Sequence, residues 1–355
     1  MTDFIQRLNP DGRSHLEWQT DKRQEIIPDA IRVVKRRFNE FPYGVLTTNL
    51  RDQVRHDPDN GIAYAVLGNH GDSRESAVMH INPYGNGLTD NMLLRAEFVR
   101  ESLNAVGIRD QNGDSLPVIA LGAPGMGRSA LKMERRVAYR KTAEGFLGHV
   151  AAEYLKVARE QNFGRVAIVG FSLGASLAPS AAVMAEGEGL DVTRIVAGDP
   201  ANVVKRKPSE LFKDFNSEAK YLEKDYTEPR IEHFITAHKE HESELDYAAG
   251  ILRRAKINLA LFKGLTEDRF KDDLFSATYR GVPSTVAYGT SSLVSPSEHT
   301  HAAIEKSRQG IYGGDHLVHS VSVEHAHHTW GDRVDLLSTL YAYGLGRLVP
   351  DARSV

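Results

Sequence analysis

Gly170-Phe171-Ser172-Leu173-Gly174 follows the apolar run Val166-Ala167-Ile168-Val169 and leads into Ala175-Ser176-Leu177-Ala178. The β-branched-rich run reads as a buried strand, and the small residues after it as a helix packed close to that strand. A serine at the apex of such a sharp turn sits in strained backbone, so its hydroxyl stands clear of the sheet. The N–H of the next residue, at the helix start, points at any oxyanion that develops there. Glycines two before and two after the serine remove side chains that would collide where strand and helix meet. The bare pentapeptide is a common chance pattern; the flanking strand and helix are the context that gives it meaning. Ser172 is the candidate nucleophile, and the Leu173 N–H is the first candidate oxyanion donor.

Strand-like and helical segments alternate outward from this point. Ile62–Leu67 and Ser76–Ile81 read as strands, with hairpin-turn residues Asn69-His70-Gly71-Asp72 between them. A helical segment runs from about Asp90 to Val106, a strand from Leu116 to Leu121, and a long helical stretch from about Arg136 to Glu160. Thr193–Ala197, Ser284–Gly289 and His319–Glu324 read as later strands, and Val334–Leu345 as a closing helix. The expected fold is α/β, with a mostly parallel, doubly wound sheet covered on both faces. From about Val204 to Asp273 the pattern becomes charged and helical, with no strand-like alternation. Insertions of that length at the carboxyl edge of such a sheet usually cover the ligand site. The expected organisation is N-terminal decoration over 1–50, made of helical pieces, and a core over 51–203 and 284–355. A helical cap over 204–283 interrupts the core between late strands.

Composition narrows the classes. The 355 residues are 41% hydrophobic and 26% charged, ordinary values for a globular chain with a sizeable core. A formal charge of −3 gives no reason to expect nucleic acid as a partner. With no cysteine, disulfides, thiolate metal sites and a cysteine nucleophile are excluded, which fits a reducing compartment. The N-terminus has no continuous apolar core of a signal peptide, and no apolar stretch approaches about 18 residues. A soluble, cytoplasmic location without membrane contact is the expectation.

The order of motifs resembles the α/β-hydrolase superfamily from about Ile62 to Leu345. A loop follows the third core strand. Then come Pro124-Gly125-Met126-Gly127-Arg128-Ser129, matching a Pro-Gly-x-Gly-x-Ser loop, the Ser172 turn, the cap and a late histidine. The resemblance implies the fold and the nucleophile and leaves the substrate open. It also implies a base and an orienting acid, which a weakly nucleophilic serine needs. Aligning Glu324-His325-Ala326-His327-His328 with the superfamily's Gly-x-Gly-His turn puts His328 in the catalytic position, with His327 and His325 as alternatives. The acid departs from the pattern. The usual Gly-x-x-Asp turn here reads Gly289-Thr290-Ser291-Ser292, and serine cannot hold the charge that stabilises an imidazolium. Asp199 is one replacement, because Gly198-Asp199-Pro200-Ala201 resembles the Asp-Pro-Ala turn of pancreatic-type lipases. Glu298 is the other, and absence of any acid is a third possibility. For the second oxyanion donor, His70-Gly71 looks like a His-Gly signature but falls in the expected hairpin. The loop Asn82–Gly87 is the better register, with Asn86 donating and Tyr84 as the alternative.

The remaining features have plainer readings. His299, His301, His316, His319, His325, His327 and His328 with Glu298 and Asp315 suggest a zinc or iron site. No His-Glu-x-x-His occurs, so neither metal nor cofactor is expected. The stretch Ala248–Leu265, with Arg253, Arg254 and Lys256 beside Ile251, Leu252, Ile257, Leu259, Leu261 and Phe262, suggests a lipid-facing lid or a helix packed on the cap body. The packed helix is the expectation. Lys205-Arg206-Lys207 and His238–Glu244 read as solvated faces. The sequence thus points to a serine hydrolase acting on a small-molecule carboxylic ester or related acyl substrate, with Ser172, His328 and Asp199 as the triad. Acyl transfer, amide or peptide cleavage and lyase chemistry use the same constellation. A silent binding protein of the same fold is the alternative from another class.

Overall fold

The computed structural model describes residues 6–7, 17–20, 32–34, 36–37, 50–68, 76–83, 88–109, 115–126, 145–219, 257 and 259–346. Ten strands form one sheet: β1 (Gln6–Arg7), β2 (Glu17–Thr20), β3 (Arg55–His56), β4 (Ala63–Leu67), β5 (Ser76–Ile81), β6 (Val118–Leu121), β7 (Arg165–Phe171), β8 (Asp191–Gly198), β9 (Ser284–Gly289) and β10 (Val318–Glu324). Their order is β1-β2-β10-β9-β8-β7-β5-β6-β4-β3. From β6 through β10 neighbouring strands are parallel, while β4 with β3, and β2 with β1, add antiparallel pairs at the two edges.

The central strands are apolar on both sides because helices cover both faces. These helices are α1 (Asp90–Ala105), α2 (Gly145–Glu160), α3 (Leu173–Met184), α4 (Pro208–Ala219), α5 (Phe270–Tyr279), α6 (Ser297–Gln309), α7 (Gly314–Leu317) and α8 (Val334–Gly346). Met79, Ile81, Ile168 and Ile195 bury one face against Tyr154 and Leu155 of α2, Leu177 and Ala181 of α3, Leu274 of α5 and Ile304 of α6. Val78, Ala120, Val169, Val196 and Val321 bury the other against Leu94 and Phe98 of α1 and Leu337 and Leu340 of α8. The last helix of the segment 204–283, α5, thus packs in the same layer as α3; residues 220–256 lie outside the described part.

Two expectations are corrected. The segments around Asn69–Asp72 do not form a hairpin. β6 lies between β4 and β5, parallel to β5 through Val78↔Val118 and antiparallel to β4 through Tyr64↔Leu121. Both strands are buried on both faces, so their apolar pattern carries no signal about which neighbour each one takes. Residues 69–75 themselves lie outside the described part. The first fifty residues also supply more than helical pieces. β2 pairs with β10 through Val321↔Thr20 to Glu324↔Glu17, extending the sheet at the edge next to the late histidines.

The crossover after β5 runs to β6 on one side, whereas β7 lies on the other. The chain therefore changes direction in the sheet between β5 and β7. Crevices outside the carboxyl ends of strands at such points are where ligands bind in open α/β sheets. Ser172 follows β7 directly.

Candidate active site

Ser172 sits between β7 and α3 with φ 56° and ψ −110°, a left-handed conformation that costs a non-glycine residue about 1–3 kcal/mol. The surroundings enforce it. The Ser172 N–H donates to the Gly198 carbonyl at 2.9 Å, and its own carbonyl accepts from the Ser176 N–H and the Ser176 hydroxyl, each at 2.9 Å. A Cβ on Gly170 would overlap the Gly174 backbone, and one on Gly174 would overlap the Ile81 carbonyl. Both flanking glycines are thus needed for close approach. Ser176 is wholly buried, and its hydroxyl also accepts the Ala201 N–H at 2.9 Å, tying this turn to the turn after β8.

Asp199 directly follows β8, also at positive φ (52°), with its N–H donating to the Ala287 carbonyl at 2.7 Å. Its carboxylate has no solvent exposure. Oδ1 accepts the Gly289 N–H at 2.8 Å, and Oδ2 accepts the Ser292 hydroxyl at 2.9 Å. His328 Nδ1 lies 2.6 Å from that same Oδ2, and His328 Nε2 lies 2.8 Å from Ser172 Oγ. With the acid ionised, Nδ1 carries the proton and donates to Asp199, which leaves Nε2 as the acceptor of the serine hydroxyl. The imidazole packs between the Phe171 ring at 5.2 Å and the Phe215 ring at 5.3 Å. A serine, a histidine and a buried aspartate are in hydrogen-bonded series at the sheet's switch point.

Among solved structures, the chain is similar to MGS-M2, an alpha/beta hydrolase enzyme from a Medee basin deep-sea metagenome library. The identity is 16% over 84% of this chain and 99% of the other, with a TM-score of 0.51. A membrane phospholipase A described as a novel bacterial virulence factor gives a TM-score of 0.51 at 17% identity, over 90% of this chain and 96% of that one. The chain has the α/β-hydrolase fold. No family model matches it, and no curated protein does either.

Within this α/β-hydrolase fold, the other candidates lie elsewhere. Glu298 opens α6 with its side chain 83% exposed, 3.4 Å from His299 Nε2, so its carboxylate faces solvent rather than His328. His327 is half-buried, directly before the short 3-10 turn His328–Asp332, and His325 is exposed at φ 57° with its N–H on Thr290 Oγ1. Of the three histidines, His328 is the one that meets Ser172. Leu173 is buried at the first position of α3, directly after Ser172. Tyr84, Gly85, Asn86 and Gly87 lie outside the described residues, as do Gly127–Ser129 and Arg253–Lys256. Asn82, two residues before Tyr84, follows Ile81, which pairs with Gly170 of β7. Among the described residues no group of three His, Asp or Glu side chains is placed to hold a metal ion, and no helix is long and apolar enough to cross a membrane.

Sequence reasoning missed three residues around the site. Glu218 of α4 is 1% exposed and accepts the His328 N–H, the Leu293 N–H and, at 3.0 Å, the Val294 N–H. Burial first, and then the Asp199 charge, push its carboxyl above the usual range, while His328 and the bonds to Val294 and Leu293 pull it down. Arg206, expected on a solvated face, instead has its side chain only 8% exposed. It pairs with Asp214 at 2.8 Å and donates to the carbonyls of Leu293 and Val294. A single glutamate in a charged helical stretch carries no sequence signal that would mark it as part of a site. Phe215 carries a weak one, as the apolar residue one turn after Phe212.

Proposed function

We propose that this protein is a serine hydrolase that cleaves a carboxylic ester or related acyl substrate through Ser172, His328 and Asp199. The observation that carries the reading is the series Ser172 Oγ–His328 Nε2 at 2.8 Å and His328 Nδ1–Asp199 Oδ2 at 2.6 Å. It is supported by the strained φ of Ser172 and by the carboxyl end of the sheet being where this fold binds ligands. His328 takes the hydroxyl proton as Ser172 Oγ attacks the acyl carbon. Asp199 then stabilises the imidazolium, which returns the proton to the leaving group. The tetrahedral oxyanion is held by the Leu173 N–H and by a second donor from the loop after β5, with Asn86 or Tyr84 as the candidates. Water activated by His328 releases the acyl group, so no cofactor or metal is invoked.

Aromatic residues support an apolar acyl or alcohol portion. Phe215 touches His328, the Phe262 ring lies 6.2 Å from Phe215, and Phe212 lies 6.5 Å from Phe262. Phe212, Leu259 and Leu293 are 59%, 60% and 45% exposed, so apolar surface continues from the base outward. In this reading the part of the segment 204–283 that precedes α5 is the cap that sets substrate choice.

Reaction with a fluorophosphonate, read by intact mass, tests the proposal. One covalent adduct on the wild type, absent from Ser172→Ala, is the expected result. A folded wild-type protein that takes no adduct would overturn the reading and favour a silent binding protein. Ester, amide and acceptor panels on a labelling-competent protein then separate hydrolysis from transfer.

A further inference from the structure

Glu218 is a buried carboxylate at the last turn of α4, and the mechanism above gives it no task. Its three N–H partners belong to two separate loops. Leu293 and Val294 follow Ser292, the serine whose hydroxyl holds Asp199, and the third N–H is that of His328 itself. Arg206 grips the carbonyls of Leu293 and Val294. The Leu293 carbonyl and the Val294 N–H belong to one trans peptide and point to opposite edges, so Arg206 and Glu218 hold that peptide from both sides. Only an acceptor without hydrogens satisfies three N–H donors; the amide of a glutamine would turn a donor toward one of them.

We propose that Glu218 is a positioning residue for the triad, holding the Ser292 loop to the His328 backbone so that the imidazole stays between Ser172 and Asp199. The inference rests on the triad reading above. It also makes α4, the first helix of the 204–283 segment, a member of the catalytic assembly.

The charge on Glu218 gives this role a signature that simple bracing lacks. The groups around it are Asp199 directly after β8, His328 after β10, and the Arg206–Asp214 pair from its own segment. The loop 289–296 contributes no charged residue, and His325 and His327 flank His328 in the same turn. Burial pushes the Glu218 carboxyl above the usual range, and its protonation as pH falls places an O–H where an N–H was accepted. The acid limb of wild-type activity therefore lies at higher pH than in a variant without this carboxylate.

The test measures fluorophosphonate inactivation rates across pH for wild type, Glu218→Gln and Glu218→Asp, with folding checked by circular dichroism. Glu218→Gln is expected to react about tenfold more slowly on the plateau, the loss of one charge-assisted bond. Its acid limb should move to lower pH. Glu218→Asp keeps the charge but reaches less far, so it should keep the wild-type limb with a reduced plateau. A Glu218→Gln limb that coincides with wild type would overturn the inference whatever the plateau does. If Glu218→Gln does not fold, Glu218→Asp decides: a reduced plateau with an unmoved limb supports the role, and a wild-type plateau refutes it. Wild type that is not labelled at Ser172 would defeat the triad reading, and this inference with it.

Discussion

Ser292 Oγ donates to Asp199 Oδ2 at 2.9 Å, the same oxygen that faces His328 Nδ1 at 2.6 Å. Ser292 stands where the resemblance to α/β-hydrolases leads one to expect the acid, and it is instead a hydrogen-bond donor to Asp199, which follows the preceding strand. Against that expectation the carboxylate position is exchanged from the loop after β9 to the turn after β8. The Ser292 hydroxyl also accepts the Ser295 N–H at 3.0 Å, so it is oriented before it meets Asp199.

That exchange predicts a rescue. Asp199→Asn should lower turnover about 10⁴-fold, because the amide cannot stabilise the imidazolium and favours the wrong tautomer. Adding Ser292→Asp to Asp199→Asn should restore part of that loss by returning a carboxylate to within reach of Nδ1. Ser292→Asp alone should reduce activity, since two buried carboxylates side by side cannot both stay ionised. Steady-state rates on one activated ester check all three, and a double variant no better than Asp199→Asn would count against the exchange.

Ser176 links the nucleophile turn to the acid turn, donating to the Ser172 carbonyl and accepting from the Ala201 N–H. Ser176→Ala should cost about 1–3 kcal/mol, because a buried N–H loses its acceptor. Urea denaturation of both proteins measures it. A cost near zero would mean that the two turns hold their geometry independently.

His80 of β5 is fully buried, its ring edge-on to Tyr341 at 5.9 Å, and burial followed by the nearby Arg95 charge lowers its pKa to about 3. The fold therefore keeps His80 neutral, whereas the unfolded chain takes up a proton near the ordinary value of 6.5. Between those two values the unfolded state binds more protons, so stability falls as pH drops below about 6.5 and the loss levels off near 3. His80→Gln should flatten that part of the curve. Comparing denaturation midpoints at about pH 5 and about pH 7.5 tests it, and equal slopes for variant and wild type would assign the acid sensitivity to other groups.

Phe215 separates the His328 ring from Phe262 and the exposed Phe212. If acyl chains lie along this aromatic path, Phe215→Ala should lower kcat/KM for medium-chain esters about tenfold relative to acetyl esters. An unchanged ratio would place the acyl portion elsewhere.

Much of the fold was legible in the chain. Val166–Val169, the flanking glycines and the small residues after Ser172 obey strictly local rules, since a strand, a tight turn and a close-packed helix leave few alternatives. Ser284–Gly289 and Val334 onward were readable for the same reason. The hairpin expected at Asn69–Asp72 was wrong because strand neighbours are chosen across the sheet, and a strand buried on both faces shows no sign of which partner it takes. Arg206 was misread because a basic run looks solvated until it is known which carbonyls face it.

By itself, then, the sequence determined the nucleophile turn, the alternation that makes a parallel sheet, and a short set of candidate bases and acids. Local backbone chemistry and residue spacing control these features. The tertiary structure decided which of those candidates meet. It brings Asp199 rather than Glu298 to His328, turns Ser292 into a donor, and recruits Glu218 from a helix 110 residues before the histidine. Those contacts join residues that are distant in sequence, and only the packing of strands and helices around one sheet fixes the distances between them.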